Sequence, residues 1–275
     1  MSRLALIWDG TWLRWSTFAG EPAVGRREIR KPDMIVEVLR ALRNQVGAGA
    51  SVVHTQWGVP STVMPSSLLE QVGTEGDSEP MDRGKSRKET RHAMLKVLHE
   101  MHHGRPEVGR TSGHWSGSLT SLNDEPAYVV GGDVAWHEGV ASVFPQARHV
   151  PWVQVLLQDA LKWQRTHPAE GWVIRADVRS RGALFVGIES ETLQWVHHLE
   201  EPCNEEDGLY AMVNAVHRAE AALDKVRVLW SGDTAGIRGW ERFIPEIHAC
   251  STLDSSASPA GEEWMTWCQT MISCA

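Results

Sequence analysis

The stretch from Gly171 to Asp233 has the clearest secondary-structure pattern in this sequence. It opens with Gly-Trp-Val-Ile-Arg-Ala-Asp-Val (171–178), turns at Arg-Ser-Arg-Gly (179–182) and returns as Ala-Leu-Phe-Val-Gly-Ile-Glu-Ser (183–190). A third run, Glu-Thr-Leu-Gln-Trp-Val-His-His-Leu-Glu (191–200), precedes a helical pattern over 204–223 and a fourth apolar run, Lys-Val-Arg-Val-Leu-Trp (225–230), which closes on Ser-Gly-Asp. Short runs rich in Val, Ile and Phe between turn residues are typical of strands. The stretch therefore predicts the element order β-β-β-α-β.

The first 57 residues repeat this order more weakly. Strands are predicted at 4–8, 12–19 and 23–30, and the first two are joined by Asp9-Gly10-Thr11, since Asp-Gly favours a hairpin turn. A helix is predicted from Pro32-Asp33 to Gly47, before a fourth strand at 50–57. Asp9 then aligns with Asp177. A repeated pattern of this length indicates a duplicated architecture.

Length and composition suit two α/β domains. The chain has 275 residues, of which 42% are hydrophobic and 23% charged, as in an ordinary globular protein. We predict a first lobe at 1–168, with an irregular insert at about 59–125, and a second lobe at 169–275 that ends in a helical tail. The fourteen tryptophans are interpreted mainly as core, with ligand stacking as the alternative.

Charge and cysteine usage limit the class of function. A net charge of -8 argues against a nucleic-acid partner, because phosphate binding needs a basic face. The cysteines 203, 250, 268 and 274 form no C-x-x-C pair, which favours reduced thiols in a cytoplasmic protein. The apolar run at 4–8 is too short for a signal peptide or a membrane span. We therefore expect a cytoplasmic protein that does not use a membrane as its partner.

Two copies of β-β-β-α-β resemble the actin-like, ribonuclease-H-type duplicated fold of sugar kinases, Hsp70 and pilus-assembly proteins. Three stretches also resemble a bacterial family, domain of unknown function 3822, whose members look like diverged actin-like ATPase domains. They are Ser-Val-Val-His (51–54) with Val-Met-Pro-Ser-Ser-Leu-Leu (63–69), Phe-Pro-Gln-Ala-Arg-His (144–149), and 171–232. The resemblance implies two lobes with a cleft between them, and an origin in an ATPase fold. Fold alone does not fix function.

The resemblance also implies where a nucleotide would lie. In nucleotide-binding members, the hairpin after each first strand holds phosphates with backbone N–H groups and places an Asp near magnesium. The first loop here offers Asp9, Gly10, Thr11 and Arg14. This makes Asp9 and Asp177 the candidate metal ligands. Tight turns that merely connect strands are the alternative interpretation.

The second loop departs from the pattern of active ATPases. It keeps Asp177, but puts Val and two Arg where small residues are expected; Arg179 and Ser180 remain candidate phosphate contacts. The candidate adenosine loop contributes Gly232 and Asp233, with single glycines in place of a Gly-Gly pair.

A further hypothesis is a metal-binding trio of carboxylates of the ribonuclease-H type. Asp177, Glu205 or Glu206, and Asp233 stand at the corresponding places, and such a trio would hold two magnesium ions. Helix-capping acids and a turn Asp are the alternative. The histidines at 92, 99, 102 and 103 are interpreted as a solvated helix face, since the H-E-x-x-H spacing is absent.

Three functional hypotheses follow. The first is a non-catalytic or weakly nucleotide-binding scaffold or regulatory protein with another protein as partner, indicated by the altered second loop. The second is an ATPase or small-molecule kinase that uses Asp9, Thr11 and Asp177 around ATP with Mg. The third is a two-metal nuclease.

Overall fold

The structure is a computed structural model. It describes residues 2–18, 23–65, 87–103, 112–119, 126–167, 171–179, 182–199, 205–232, 237–250 and 268–272.

Thirteen strands occur in the described residues: β1 (Arg3–Trp8), β2 (Trp12–Thr17), β3 (Ala23–Glu28), β4 (Ser51–Gln56), β5 (Ser61–Met64), β6 (Ser112–Ser118), β7 (Ala127–Asp133), β8 (Arg148–His149), β9 (Trp172–Arg179), β10 (Gly182–Glu189), β11 (Thr192–Leu199), β12 (Val226–Gly232) and β13 (Glu246–Ala249). The helices of the described residues are α1 (Asp33–Val46), α2 (Arg87–His103), α3 (Val134–Val143), α4 (Trp152–Thr166), α5 (Glu205–Arg218) and α6 (Ile237–Trp240), with a 3-10 turn at Leu223–Lys225. No helix among the described residues is long and apolar enough to cross a membrane.

Two five-stranded sheets have the same topology. The first has the order β3-β2-β1-β4-β8 and the second β11-β10-β9-β12-β13. In each, the first strand pairs antiparallel with the second and parallel with the fourth. The duplicated β-β-β-α-β pattern predicted from the sequence is confirmed.

Each sheet has its own apolar core on one face. In the first, alternate residues of β1 (Leu4, Leu6 and Trp8) pack with α1 and α3, because side chains two apart on a strand share a face. The second core joins β9, β10 and β12 to α5 through Met212 and Val216. The largest fully buried side chains include three tryptophans, so core filling accounts for part of the high Trp content; they are Trp136, Trp230 and Trp240.

Glycine and tryptophan are paired across neighbouring strands in both sheets. Trp15 of β2 stands opposite Gly25 of β3, and Trp195 of β11 stands opposite Gly187 of β10. A Cβ on either glycine would lie 2.3 or 2.4 Å from the indole ring. Because each glycine has no side chain, the indole ring opposite it can pack closely against the sheet.

The chain forms two compact units. One comprises Met1–Gly58 with Asp133–Ala275, and contains both five-stranded sheets. The other, Val59–Gly132, holds α2 and the three-stranded sheet β5-β7-β6 around Leu95, Ala127 and Val129. The segment expected to be an insert, about 59–125, falls in this second unit, and the lobe boundary at 168/169 stays a prediction.

Several local predictions need correction or fall outside the described residues. The sequence Trp-Glu-Arg-Phe-Ile (240–244) predicts a short helix, and this prediction is wrong: α6 ends at Trp240, residues 241–243 form a turn, and Ile244 is buried. At the tail, residues 268–272 are helical with Cys268 and Met271 buried, while the tryptophans at 264 and 267 lie outside the described residues. Cys250 and Cys268 are free thiols.

The solvated histidine face predicted for α2 is also wrong at one position. His99 is only 3% exposed, and its Nδ1 lies 2.9 Å from Thr62 Oγ1. Burial, with the neighbouring histidines, lowers the pKa of His99 to about 4.

Candidate functional site

The candidate site centres on Asp177, close to the end of β9. Every residue of β9 is buried, since the strand lies in the middle of its sheet between β10 and β12. In the ladder Asp177 stands opposite Leu184 of β10 and Ser231 of β12. Asp177 is only 1% exposed, so a carboxylate here needs partners within the protein.

Four donors supply them. Oδ2 accepts from the indole Nε1 of Trp57 at 2.6 Å and of Trp152 at 2.9 Å. Oδ1 accepts from Arg179 Nε at 3.0 Å and from Ser231 Oγ at 2.8 Å. A carboxylate offers about four lone-pair positions, so this set fills its acceptor capacity.

The electrostatics keep the carboxyl ionised. Burial by itself raises the pKa of Asp177, but the Arg179 charge, the Trp57 hydrogen bond, the Arg175 charge and the Ser231 hydrogen bond outweigh it and hold that pKa below its usual value. Arg175 is itself fully buried and pairs through Nε with Asp159 Oδ2 at 2.7 Å. Asp177 therefore carries a stable negative charge that the surrounding donors compensate.

Arg179 is held from two sides. Its guanidinium carbon lies 4.4 Å from the centroid of the Trp57 ring, while its Nε donates to Asp177. Trp57 thus contacts the anion through its N–H and the cation through its ring face. Since Trp57 follows β4 and Asp177 lies in β9, this cluster links the two five-stranded sheets.

The first loop is arranged differently. Asp9 Oδ1 accepts the backbone N–H of Thr11 at 2.9 Å and of Trp12 at 2.6 Å, which is an Asx turn. Its Oδ2 pairs with Arg14 Nη1. Gly10 has φ +88°, the left-handed conformation that glycine adopts at little cost. The structure brings these four predicted residues together in one hairpin.

Gly232 ends β12 and is fixed by the backbone of β9. It has φ +101°, and a Cβ built on it would lie 1.8 Å from the carbonyl oxygen of Val178. The glycine is explained by this close approach of two strands. Two other predicted site residues, Ser180 and Asp233, lie outside the described residues.

The carboxylate trio expected for a nuclease is described only in part. Glu206 is exposed on α5, and the side chain of Glu205 and all of Asp233 lie outside the described residues. Within the part of the chain that the structure describes, no group of three or more His, Cys, Asp or Glu is arranged to hold a metal ion.

Sequence reasoning missed Trp57, Trp152 and Ser231 as partners of Asp177. Their contacts span 120, 25 and 54 residues of chain. The one signal available was the number of tryptophans, each with an N–H that needs an acceptor when buried. No local pattern connects such donors to one particular carboxylate.

Three histidines form a separate cluster in the first sheet. His54 of β4, His137 of α3 and His149 of β8 have ring centroids 5.3, 5.2 and 5.0 Å apart. Burial, followed by the neighbouring rings, lowers the pKa of His54 well below its usual value and that of His137 to about 3; burial lowers the pKa of His149 to about 4. These rings are neutral at pH 7.

Comparison with solved structures identifies the fold. A Bacteroides thetaiotaomicron protein with an actin-like ATPase fold and unknown function matches with a TM-score of 0.66 at 12% identity, over 96% of this chain and 95% of that one. The PilM–PilN type IV pilus biogenesis complex matches with a TM-score of 0.51 at 10% identity, over 99% and 98%. No family model and no curated protein matches the chain. The chain has the mixed α/β actin-like fold, and identities this low show the fold alone.

Proposed function

We propose that this protein is a non-catalytic scaffold or regulatory protein. In the second of its two candidate phosphate loops, the protein's own side chains occupy the oxygens of Asp177 that a metal would need. One observation carries the proposal: both oxygens of Asp177 are saturated by Trp57, Trp152, Arg179 and Ser231. A magnesium ligand at this position needs a free oxygen, and no such oxygen is present.

The energetic cost of freeing an oxygen of Asp177 supports this proposal. A hydrogen bond to a charged group contributes about 1.5–3 kcal/mol, so breaking two of them costs roughly 3–6 kcal/mol. That cost is subtracted from the affinity of Mg-ATP, and 3–6 kcal/mol weakens binding by roughly 10²- to 10⁴-fold. Asp177 and Arg179, the candidate residues of the second loop that the structure describes, therefore do not fit Mg-ATP.

The test is a titration with Mg-ATP, followed by thermal unfolding and by intrinsic tryptophan fluorescence. Trp57 and Trp152 contact Asp177 directly, so displacement of either indole should change the fluorescence. We expect no saturable change up to millimolar nucleotide. A true site in hundredfold excess of ligand over Kd would stabilise the fold by about 2.7 kcal/mol.

A saturable change that is lost in both Asp9→Ala and Asp177→Asn would overturn the proposal. A saturable change that survives both substitutions would place a nucleotide elsewhere on the protein and would overturn it as well. Mg-ADP and ATP with EDTA serve as matched ligands that separate phosphate binding from metal binding.

The competing candidate is an ATPase or small-molecule kinase. The first loop favours it, because Asp9 orders the N–H groups of Thr11 and Trp12 and Gly10 adopts a positive φ. If the protein is such an enzyme, Asp9→Ala and Asp177→Ala should abolish turnover while the fold stays intact. The geometry instead leads us to expect that Asp177→Ala lowers stability.

The proposal includes a protein as partner. A neighbour in fold, PilM, is seen in a complex with PilN, which supports a protein-binding role for an actin-like body. We also propose that the chain is related to the bacterial family called domain of unknown function 3822.

A further inference from the structure

We infer that strand β11, with the groove between it and α5, binds an extended peptide of a partner protein as an additional antiparallel strand. This inference rests on the proposed scaffold function and names the class of partner: a peptide with apolar residues at alternate positions, a cation near its start and a carboxylate at its end. Three observations carry it.

The first is the composition of the edge. The edge strands of the two five-stranded sheets are β3, β8, β11 and β13. β3 carries Arg26, Arg27 and Glu28, β13 carries Glu246, and β8 is two residues long. Charges and short length are the usual ways to protect an edge from pairing. β11, Thr-Leu-Gln-Trp-Val-His-His-Leu, is eight residues long and contains no Lys, Arg, Asp, Glu or Pro.

The second is the groove beside this edge. A cavity of about 730 Å³ lies between β11 and α5, with Trp195, Val196 and Leu199 from the strand and Ala211 and Ala215 from the helix among its lining residues. Among the described residues, no strand pairs with the outer side of β11. Such an edge supplies backbone hydrogen bonds, and an adjoining pocket accommodates every second side chain of an added strand.

An exposed aromatic ring also borders the groove. Tyr210 of α5 is 74% exposed, one of the few large apolar side chains of the described residues that face solvent. Aromatic residues are enriched in protein-binding surfaces. Tyr210 is therefore the natural contact for an apolar side chain of the peptide.

The third observation is the charge along the groove. Asp207 and Arg218 lie near opposite ends of α5, and both line the cavity. Arg218 is exposed and makes no ion pair with any residue that the structure describes. Since β11 and β12 both run parallel to β9, the connecting α5 runs back against them, which brings Arg218 toward the start of β11.

The orientation of the peptide follows from these charges. A strand that pairs antiparallel with β11 has its C-terminal end near the start of β11, where Arg218 lies. A carboxylate at that end meets the guanidinium, and a cation at the other end meets Asp207. Antiparallel pairing is also somewhat more stable per residue than parallel pairing.

The experiment uses a pool of fluorescent eight-residue peptides with the pattern Lys-Thr-X-Thr-X-Thr-X-Asp, where X is Val, Ile, Leu or Phe, and the full protein. We expect saturable binding by fluorescence anisotropy. Two matched pools are the controls: one N-methylated at alternate residues, which cannot form the ladder, and one with Lys and Asp exchanged. Both should bind at least tenfold more weakly.

Variants locate the site on the protein. Arg218→Glu should weaken binding of the first pool at least tenfold and improve binding of the charge-exchanged pool, and Tyr210→Ser should weaken both. Arg40→Glu, on an exposed position of α1, is the matched control and should have no effect. These positions are exposed, so the variants are expected to fold.

Several results would overturn the inference. They are the absence of saturable binding, equal binding of the N-methylated pool, and binding that is insensitive to Arg218→Glu. A dimer that forms through β11, detected by sedimentation and unaffected by peptide, would show a second copy as the occupant and would overturn it too. A Mg-ATP response with intact peptide binding would refute the non-catalytic proposal alone, so the two failures are distinguishable.

Discussion

At the scale of single residues, Asp177 shows how a buried charge is kept in a protein interior. Its four donors come from one neighbour on its own strand, one on β12, and two tryptophans near the ends of other elements. Removing any one leaves a buried acceptor short of a partner, which costs more than the average hydrogen bond contributes.

Trp57→Phe tests this arrangement. The substitution keeps an aromatic ring under Arg179 and removes the N–H that Asp177 accepts. We expect the free energy of unfolding to fall by about 1–3 kcal/mol, because the carboxylate loses a buried donor. Chemical denaturation followed by circular dichroism measures the change. Trp12→Phe is the control: Trp12 lies beneath Arg26 in the same way, and a loss as large there would contradict the explanation.

Gly232→Ala tests the close approach of β12 and β9. A Cβ would overlap the Val178 carbonyl oxygen at 1.8 Å, and the residue needs a positive φ. We expect a loss of at least about 2 kcal/mol in unfolding free energy. Gly239→Ala is the matched control, since it lies in α6 with open space around it and should change stability by no more than about 1 kcal/mol, in the stabilising direction. Equal behaviour of the two variants would show that the glycine at 232 is not required by the backbone.

At the scale of elements, the histidine cluster couples β4, α3 and β8. Its rings pack against each other, and His54 also contacts the edge of Trp136 in the core. His54 Nδ1 is buried without a hydrogen-bond partner among the described residues. A proton on any of these rings would therefore place a charge among apolar neighbours and other histidines.

Acid should weaken the first sheet for this reason. The folded-state pKa of each ring lies below the ordinary histidine value, to about 3 for His137 and about 4 for His149, so the unfolded chain binds protons first. The stability is fully present above the unfolded pKa, about 6.5, and declines as pH falls, by up to about 1.4 kcal/mol per pH unit for each histidine.

Denaturation curves between pH 7 and pH 4.5 measure this slope. His137→Gln should reduce it, because one fewer group differs in protonation between the two states. His217→Gln, at an exposed position of α5, is the control and should leave the slope unchanged. A slope that is the same in the wild type and in His137→Gln would contradict the assignment.

At the scale of the whole molecule, the chain divides into two compact units, of which the larger is discontinuous in sequence. Val59–Gly132 is inserted between Gly58 and Asp133. The two ends of the insertion in the larger unit are neighbours, because the Asp133 N–H donates to Gln56 Oε1 at 2.8 Å. A short linker can therefore replace the insertion without stretching the larger unit.

Deletion of 59–132 with a Gly-Ser-Gly linker should leave the larger unit folded. The near-ultraviolet circular dichroism of its buried tryptophans, among them Trp136, Trp230 and Trp240, reports directly on its packing. We expect a cooperative thermal transition and a retained tryptophan signal. Loss of both in the deletion variant, with a normal result for a control that exchanges only residues 59–61 for the linker, would show that the units depend on each other for folding.

Local sequence patterns are enough to predict the architecture of this protein. Turn residues such as Asp9-Gly10, the helix end at Gly47 and the alternation along the strands act over a few residues, so the two β-β-β-α-β patterns can be predicted from sequence alone. The same local signals located the two hairpins that carry Asp9 and Asp177. They could not place the end of α6 or the burial of His99, which depend on neighbouring elements.

The surroundings of Asp177, in contrast, depend on tertiary packing. Read from the sequence, this residue is a candidate metal ligand at the end of a first strand. In the folded chain Trp57 and Trp152 supply both donors to Oδ2, across 120 and 25 residues. Hydrogen bonds between residues so far apart arise from the packing of whole elements, which no short pattern encodes. The set of donors around Asp177 is therefore a property of the packed protein.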